Sequence, residues 1–76
     1  MKTITLYTKN NCPQCKMTKR FLAQKDVTFE EINIDEQPQY IDWLKEQGHR
    51  TVPVLTTNES MTIVGFRPDQ LKALAV

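Results

Sequence analysis

The residues Cys12-Pro13-Gln14-Cys15 contain both cysteines of this 76-residue chain. They follow the alternating stretch at residues 4–7, which predicts a β-strand, and they precede a pattern typical of a helix. Pro13 stands where that helix would begin, a position at which the missing N–H of proline costs nothing. The two sulfur atoms are therefore expected at the junction between a strand and the first turn of a helix.

The remaining hydrophobic pattern predicts seven elements in the order β-α-β-α-β-β-α. The first half contains a strand at 2–7, a helix from Pro13 to about Gln24 with Met17, Phe21 and Leu22 on its apolar face, and a strand at 29–34 with Ile32 and Ile34 inward. The second half contains a helix from Pro38 to Gly48 with Tyr40, Ile41 and Leu44 on its apolar face, a hairpin of residues 54–55 and 61–64, and a helix at 68–75 with Leu71 and Leu74 inward. Trp43 and Met61 are predicted to be core residues.

This element order predicts the architecture. The first β-α-β unit should be a parallel, right-handed crossover, and the final hairpin adds two antiparallel strands. We therefore expect an α/β fold with a four-stranded mixed sheet flanked by three helices, in a single domain spanning residues 1–76. The cysteines then lie at the carboxyl end of a strand, the end at which open α/β sheets place their sites.

Charge and hydropathy exclude several classes of function. Ten basic and nine acidic residues are mixed along the chain, which argues against a nucleic-acid partner because such a partner requires a basic patch. No stretch approaches the ~20 apolar residues of a spanning helix, and the alternating residues 1–8 lack the apolar core of a signal peptide. We expect a monomer of the reducing cytoplasm, where disulfides are usually transient and catalytic, with no membrane partner.

The spacing of the cysteines favours redox chemistry. A C-x-x-C beside a β-α-β pattern, without an export signal, is typical of a thioredoxin-like redox motif. At the N-cap, Cys12 would face unpaired backbone N–H groups and the positive helix end, which stabilise the reactive thiolate, and Lys9 and Lys16 would add positive charge. Cys15 would be more buried and protonated. We therefore predict that Cys12 attacks a target disulfide and that Cys15 resolves the mixed disulfide.

Two other interpretations of the cysteines remain open. An inert structural pair is one, although a four-residue loop stabilises by only about 2 kcal/mol in the chain-entropy model. A metal site is the other. Structural zinc requires four ligands, and beyond the cysteines the chain offers only His49 and carboxylates. A metal- or cluster-bridged dimeric binding module would meet this need by pairing two copies. A Cys-His hydrolase lacks any marked orienting group or oxyanion hole.

Thr51-Val52-Pro53 is the second informative segment. A proline directly before an apolar run suits the first residue of a strand, which is the simplest interpretation. The alternative is a cis bond between Val52 and Pro53. That bond would leave the Val52 backbone free to pair with an extended substrate segment, in the manner of strand addition at a sheet edge.

These two segments, followed by Gly65-Phe66-Arg67-Pro68, resemble the glutaredoxin family in order and spacing, and more narrowly the NrdH-type redoxins. The resemblance runs from about residue 3 to the end. It implies a thioredoxin fold, a cis proline at position 53, and attacking and resolving roles for residues 12 and 15. It implies no cofactor or metal, because the cysteine pair carries the two electrons. The implied partners are thioredoxin reductase as donor and the large subunit of class Ib ribonucleotide reductase as acceptor.

The resemblance also bears on glutathione. Glutaredoxins that bind glutathione usually carry Tyr where this chain has Gln14, and a Gly-Gly pair where it has Gly65-Phe66. Both changes predict weak glutathione binding and make residues 65–68 a candidate partner-binding and glutathione-excluding loop, although Phe66 could equally be a core residue. Lys9 and residues 51–52, in contrast, match positions that hold glutathione. A glutathione-dependent glutaredoxin is therefore the alternative within the family.

Overall fold

The computed structural model describes residues 3–58 and 62–75, without the side chains of Leu74 and Ala75. The elements in chain order are β1 (Ile4–Thr8), α1 (Pro13–Gln24), β2 (Glu30–Asn33), α2 (Gln39–Glu46), β3 (Val54–Thr57), β4 (Thr62–Val64) and α3 (Pro68–Leu71), which a 3-10 turn at Lys72–Ala75 follows. The sheet order is β2-β1-β3-β4, with β1 parallel to β2 and antiparallel to β3, and β3 antiparallel to β4. The predicted α/β fold, with a four-stranded mixed sheet and three helices, is confirmed.

Helix α1 has the predicted bounds, and its start is encoded locally. Pro13 occupies the first turn, and Cys12 is the N-cap residue with an extended backbone. The Cys12 side chain accepts a hydrogen bond from the backbone N–H of Cys15 at 3.1 Å. The helix therefore begins directly at the cysteine motif and holds it in a fixed geometry.

The prediction that Met17 lies on the apolar face of α1 is wrong. The buried stripe of the helix is Cys15, Thr18 and Leu22, and Met17 is 50% exposed. Thr18 can occupy a buried position because its hydroxyl donates to the carbonyl oxygen of Gln14 at 2.9 Å. A hydroxyl satisfied within its own helix thus displaces the more hydrophobic side chain from the core.

Two hydrophobic clusters lie on opposite faces of the sheet, because successive strand residues point to opposite sides. The first, which we call the α1 cluster, contains the buried residues Ile4, Leu6, Leu22, Leu55, Ile63 and Leu71, with Phe21, Val27, Phe29 and Phe66 packed against it. The second, which we call the α2 cluster, contains the buried residues Tyr7, Leu44 and Val54, with Ile32, Ile34, Tyr40 and Val52 packed against it. The inward orientation predicted for Ile32 and Ile34 is confirmed.

Several smaller expectations have mixed outcomes. Trp43, predicted as core, is 39% exposed and packs with its ring centroid 5.4 Å from that of Tyr7, at the margin of the α2 cluster. Gly48, predicted to stop α2, follows the helix with φ +86°, a conformation that favours glycine.

Some predicted positions, namely Met61, residues 2 and 59–60, and the Leu74 side chain, lie outside the described residues. Among the helices that are described, none has the length and apolar character needed to cross a bilayer.

Candidate active site

The cysteine motif lies at the carboxyl end of β1, where the sequence predicts it. Cys12 and Cys15 are joined by a disulfide, with 5.2 Å between their Cα atoms. Cys12 is 5% exposed and Cys15 only 1%. The intervening Pro13 and Gln14 are exposed. Because the Cys12 sulfur accepts a backbone N–H at the positive end of α1, reduction would leave a site that favours negative charge on this sulfur.

The three motifs, far apart in sequence, meet at this point. The Val52–Pro53 peptide bond is cis, and the Cys12 Sγ lies 3.9 Å from the carbonyl oxygen of Val52. The Gly65 N–H donates to the Pro53 carbonyl oxygen at 2.8 Å. Gly65 has φ +80°, and a Cβ built on it would lie 3.8 Å from Oε1 of Gln14. The loop that starts at Gly65 therefore borders the cysteine motif on one side and the cis-proline segment on the other.

An open cleft of about 710 Å³ lies beside Cys12. Its walls are the loop and helix start at residues 9–14, one face of α2, and the segment 49–52 that leads to the cis bond. Thr51 and Val52 line it, as do Pro13 and Gln14, whereas Cys15 does not. An incoming disulfide that occupied this cleft would therefore meet the Cys12 side of the pair.

Sequence reasoning missed part of this cleft. Ile41, Lys45, His49 and Arg50 line it, together with the expected Lys9. The spacing of Ile41, Leu44 and Lys45 on α2 places them on one helix face, and Arg50 directly precedes the Thr51-Val52-Pro53 segment. The sequence contains this spacing and the position of Arg50, but no local pattern shows that this face of α2 lies opposite the cysteine motif. Lys16, expected beside the thiolate, is exposed on α1 and is not part of the cleft wall.

The loop before Cys12 is held by a set of amide and carboxylate contacts. The Asn10 N–H donates to Oδ2 of Asp35 at 2.8 Å, and Nδ2 of Asn33 donates to Oδ1 of Asn10 at 3.0 Å. The Asp35 N–H in turn donates to Oδ1 of Asn33 at 2.9 Å. Asn11 then adopts φ +57°, which asparagine tolerates better than most residues. The carboxyl end of β2 thus positions the turn that delivers Cys12 to the cleft.

The candidate glutathione-excluding loop is residues 65–68, and beyond Gly65 it packs away from the cleft. The ring of Phe66 is half-buried against the α1 cluster and meets the ring of Phe21 edge-on, with centroids 6.3 Å apart. Nε of Arg67 donates to the carbonyl oxygen of Val64 at 3.3 Å, and Pro68 is the first residue of α3. Neither Phe66 nor Arg67 lines the cleft. The ring therefore anchors the loop to α1 instead of projecting towards a ligand beside Cys12.

Two ionisable residues of the sheet, Tyr7 on β1 and Glu31 on β2, have shifted pKa values. Burial alone would raise the pKa of Glu31, but hydrogen bonds from Thr8 at 2.7 Å and Lys19 at 3.0 Å, together with the Lys19 charge, hold it below its ordinary value. Burial raises the pKa of Tyr7, and the neighbouring Tyr40 adds to the increase. Both residues lie beyond the cleft wall, so these shifts bear on stability and not on the cysteines.

Residues 4–61, which include the cysteine and cis-proline segments, match the sequence profile of the glutaredoxins. The chain belongs to the glutaredoxin family. The glutaredoxin-like protein NrdH of Lactococcus lactis is 47% identical to it over 72 residues, with 95% of this chain and 99% of the relative covered. The NrdH protein of Escherichia coli is 41% identical, with 93% and 86% covered. The family resemblance expected from the motifs is thereby confirmed.

The solved structures agree with this assignment. NrdH-redoxin from Escherichia coli, described as a glutaredoxin-like protein with a thioredoxin-like activity profile, matches this glutaredoxin with a TM-score of 0.89 at 40% identity. The match covers 95% of this chain and 93% of the other. The expected thioredoxin fold is confirmed. With a C-x-x-C pair closed as a disulfide, this glutaredoxin is a thiol-disulfide oxidoreductase.

Proposed function

We propose that this glutaredoxin carries two electrons from thioredoxin reductase, which NADPH reduces, to the large subunit of class Ib ribonucleotide reductase, and so supports deoxyribonucleotide synthesis in the cytoplasm. It would act as a single-domain monomer without a bound cofactor. The observation that carries the proposal is the C-x-x-C disulfide beside an open cleft, in a chain that is 41–47% identical to NrdH proteins.

The unequal placement of the two cysteines supports a division of roles. Cys12 borders the cleft at the helix N-terminus, and Cys15 is 1% exposed behind it. The Cys12 thiolate attacks one sulfur of the acceptor disulfide, so that a mixed disulfide forms and the other acceptor sulfur leaves as a thiolate. Cys15 then loses its proton and attacks the Cys12 sulfur, which closes the intramolecular disulfide and releases the second acceptor thiolate. Two electrons pass to the acceptor, whose thiolates take up protons.

The cis-proline segment would hold the acceptor during this exchange. The Val52 carbonyl lies 3.9 Å from the Cys12 sulfur, and Thr51 is exposed beside it. An extended acceptor segment could pair with the Val52 backbone as an added strand, with its own sulfur next to Cys12. Pro53 is buried and contributes through the shape that it gives to this segment.

Glutathione is the competing reductant, because Lys9, Thr51 and Val52 line the same cleft and could hold an anionic tripeptide. We propose that residues 65–68 disfavour it. The Phe66 ring, held edge-on by Phe21, fixes this loop against Gln14. A loop anchored in this way would be less free to turn its backbone amides towards the tripeptide than a loop with a second glycine.

A coupled assay tests the proposed electron donor. NADPH oxidation is followed during reduction of a protein disulfide, with thioredoxin reductase in one arm and glutathione with glutathione reductase in the other. We expect turnover with thioredoxin reductase and at least about tenfold less with glutathione. Turnover only in the glutathione arm would reassign the protein as a glutathione-dependent glutaredoxin and remove the basis for the ribonucleotide reductase proposal.

Trapping tests the two cysteine roles. The Cys15→Ser variant should accumulate a covalent mixed disulfide with ribonucleotide reductase on non-reducing gels, because nothing then resolves the first bond. The Cys12→Ser variant is the matched control and should form none, although serine keeps a good N-cap for α1. Adducts of equal yield with both variants would contradict the assignment.

A further inference from the structure

Positive charge is segregated in the cleft beside Cys12. Lys9, Lys45 and Arg50 lie in its wall, and no Asp or Glu of the described residues lines it, although the chain as a whole balances ten basic residues with nine acidic ones. Within residues 3–58 and 62–75, none of these three cations forms a salt bridge. No carboxylate of the described residues lies within salt-bridge distance of them, so their charge is available to a ligand.

The same cleft has an apolar floor. Ile34, Ile41 and Val52 are half-buried, and Leu44 is buried beneath them. Ile34 and Val52 belong to the margin of the α2 cluster, so the floor is a rigid extension of the core. Glutathione has no apolar side chain, and it would leave this floor in contact with water. An occupant that carries a hydrophobic residue would cover it, and the burial of that apolar surface would favour binding.

Val52 connects this floor to the reacting sulfur. Its side chain is part of the floor, while its carbonyl oxygen lies 3.9 Å from the Cys12 Sγ. We infer that the cleft recognises an acidic, extended segment of the redox partner that carries an apolar side chain next to its cysteine pair. The inference rests on the proposed disulfide exchange and adds the chemistry of the segment that enters the site.

Single-turnover reduction of synthetic peptides tests this inference without either proposed partner. The reduced protein is mixed with peptides that contain an internal disulfide flanked by Glu and Leu, by Lys and Leu, or by Glu and Ser. After an acid quench, the reduced peptide is separated from the protein and quantified. At low salt, the Glu-Leu peptide should react about tenfold or more faster than the Lys-Leu peptide, and this ratio should approach one near 1 M salt. The Glu-Leu peptide should also react roughly tenfold faster than the Glu-Ser peptide.

Charge reversal assigns the preference to the cleft. The double variant K45E/R50E should invert the ratio of Glu-Leu to Lys-Leu rates, because two of the three cleft cations become anions. R20E/K72E is the matched control, with the same change in net charge at exposed positions outside the cleft wall, and it should keep the wild-type ratio. A ratio of two rates within one variant does not depend on how much of that variant is folded.

The outcomes separate this inference from the proposed function. Equal rates for the acidic and basic peptides, an unchanged ratio in K45E/R50E, or glutathione disulfide reacting faster than the Glu-Leu peptide would overturn the recognition site. Each of those results would leave disulfide exchange intact. Failure to reduce any peptide would instead contradict the exchange chemistry itself, and the proposed function with it.

Discussion

The two faces of the sheet are covered very differently. Helices α1 and α3 cover one face and complete a cluster of six buried residues, whereas α2 alone covers the other and buries three. The second face continues directly into the cleft beside Cys12, through Ile34, Leu44 and Val52. A domain of this size has roughly 3–5 kcal/mol of stability from its core. We expect the face covered by α1 and α3, here called the closed face, to supply most of that stability. The face covered by α2 alone, the thinly covered face, contributes to the cleft beside the disulfide.

The largest effect is expected from truncating a leucine on the closed face. Leu22→Ala should cost about 2–5 kcal/mol, because Leu22 is fully buried in the α1 cluster. That cost is comparable to the whole stability of the domain, so the variant should be largely unfolded. Leu44→Ala should cost less, since much of its cluster consists of partly buried side chains that can relax into the space. It should lower kcat/KM, because Leu44 also lines the cleft. Urea unfolding and single-turnover reduction measure the two quantities.

A milder substitution on the closed face keeps this comparison measurable. Ile63→Val on the closed face should cost about 0.5–1.5 kcal/mol and leave the reduction rate per folded molecule unchanged. If Leu44→Ala destabilised the protein as much as Leu22→Ala and left kcat/KM unaltered, the proposed division between the two faces would be wrong.

An intermediate effect is expected at Phe66, where the closed face meets the active site. Phe66→Gly should lower the free energy of unfolding by about 1–2 kcal/mol, through lost ring burial and the lost edge contact with Phe21. It should also raise turnover in the glutathione arm of the coupled assay several-fold. Phe21→Leu is the control, because it removes the same aromatic contact and keeps the side chain at position 66. Because Phe21 holds the Phe66 ring, a smaller gain with glutathione is expected in Phe21→Leu. The absence of a gain in Phe66→Gly would contradict the excluding role of the loop.

The smallest effect concerns the contact between Glu31, Thr8 and Lys19 at the rim of the closed face. The pKa of Glu31 is lower in the folded protein than in the unfolded chain, so its contribution is present above the unfolded value of about 4.3 and is lost as the pH falls through the folded value. Glu31→Gln should therefore destabilise the protein at neutral pH by less than about 1 kcal/mol, because the pair is partly exposed. The reduction rate should not change.

Unfolding at a series of pH values measures this contribution. The difference between wild type and Glu31→Gln should shrink as the solution becomes acidic, because protonation removes the same charge as the substitution. Glu30→Gln, on the same strand and exposed, is the matched control and should show no such trend. A difference that stayed constant through the acidic range would show that the charge of Glu31 is not involved.

Local chemistry explains which elements were predictable from the sequence. Helix α1 begins at a capping cysteine that Pro13 follows, and both act within one turn. Strand β2 begins at Glu30, one residue later than predicted, because hydrophobicity alone does not mark a strand start: Val27 and Phe29 precede the strand and pack against the α1 cluster. Met17 was misplaced because periodicity counts hydrophobicity and cannot anticipate a buried threonine whose hydroxyl is satisfied within the helix.

The residues of the candidate site also differ in whether they could be predicted from the sequence. The positions of Cys12, Cys15 and the cis proline follow from short motifs and from the resemblance that they carry. Among the cleft cations, Lys9 was expected beside Cys12, but Lys45 and Arg50 were not, because they come from other segments that reach the cleft only in the folded protein. The Asn10 to Asp35 contact was also missed, since a turn sequence shows that the chain bends but not what holds the bend in place.

The position of Trp43 has a consequence for spectroscopy. It is the single tryptophan of the chain, and it packs on Tyr7 at the margin of the α2 cluster. Its fluorescence therefore reports the packing of α2 on the sheet. Far-ultraviolet circular dichroism, in contrast, is weighted towards the longer helix α1. If the thinly covered face opens before the rest of the domain, the melting curve detected by emission will precede the one detected by ellipticity. Agreement between the two curves would show that both faces unfold as one cooperative unit.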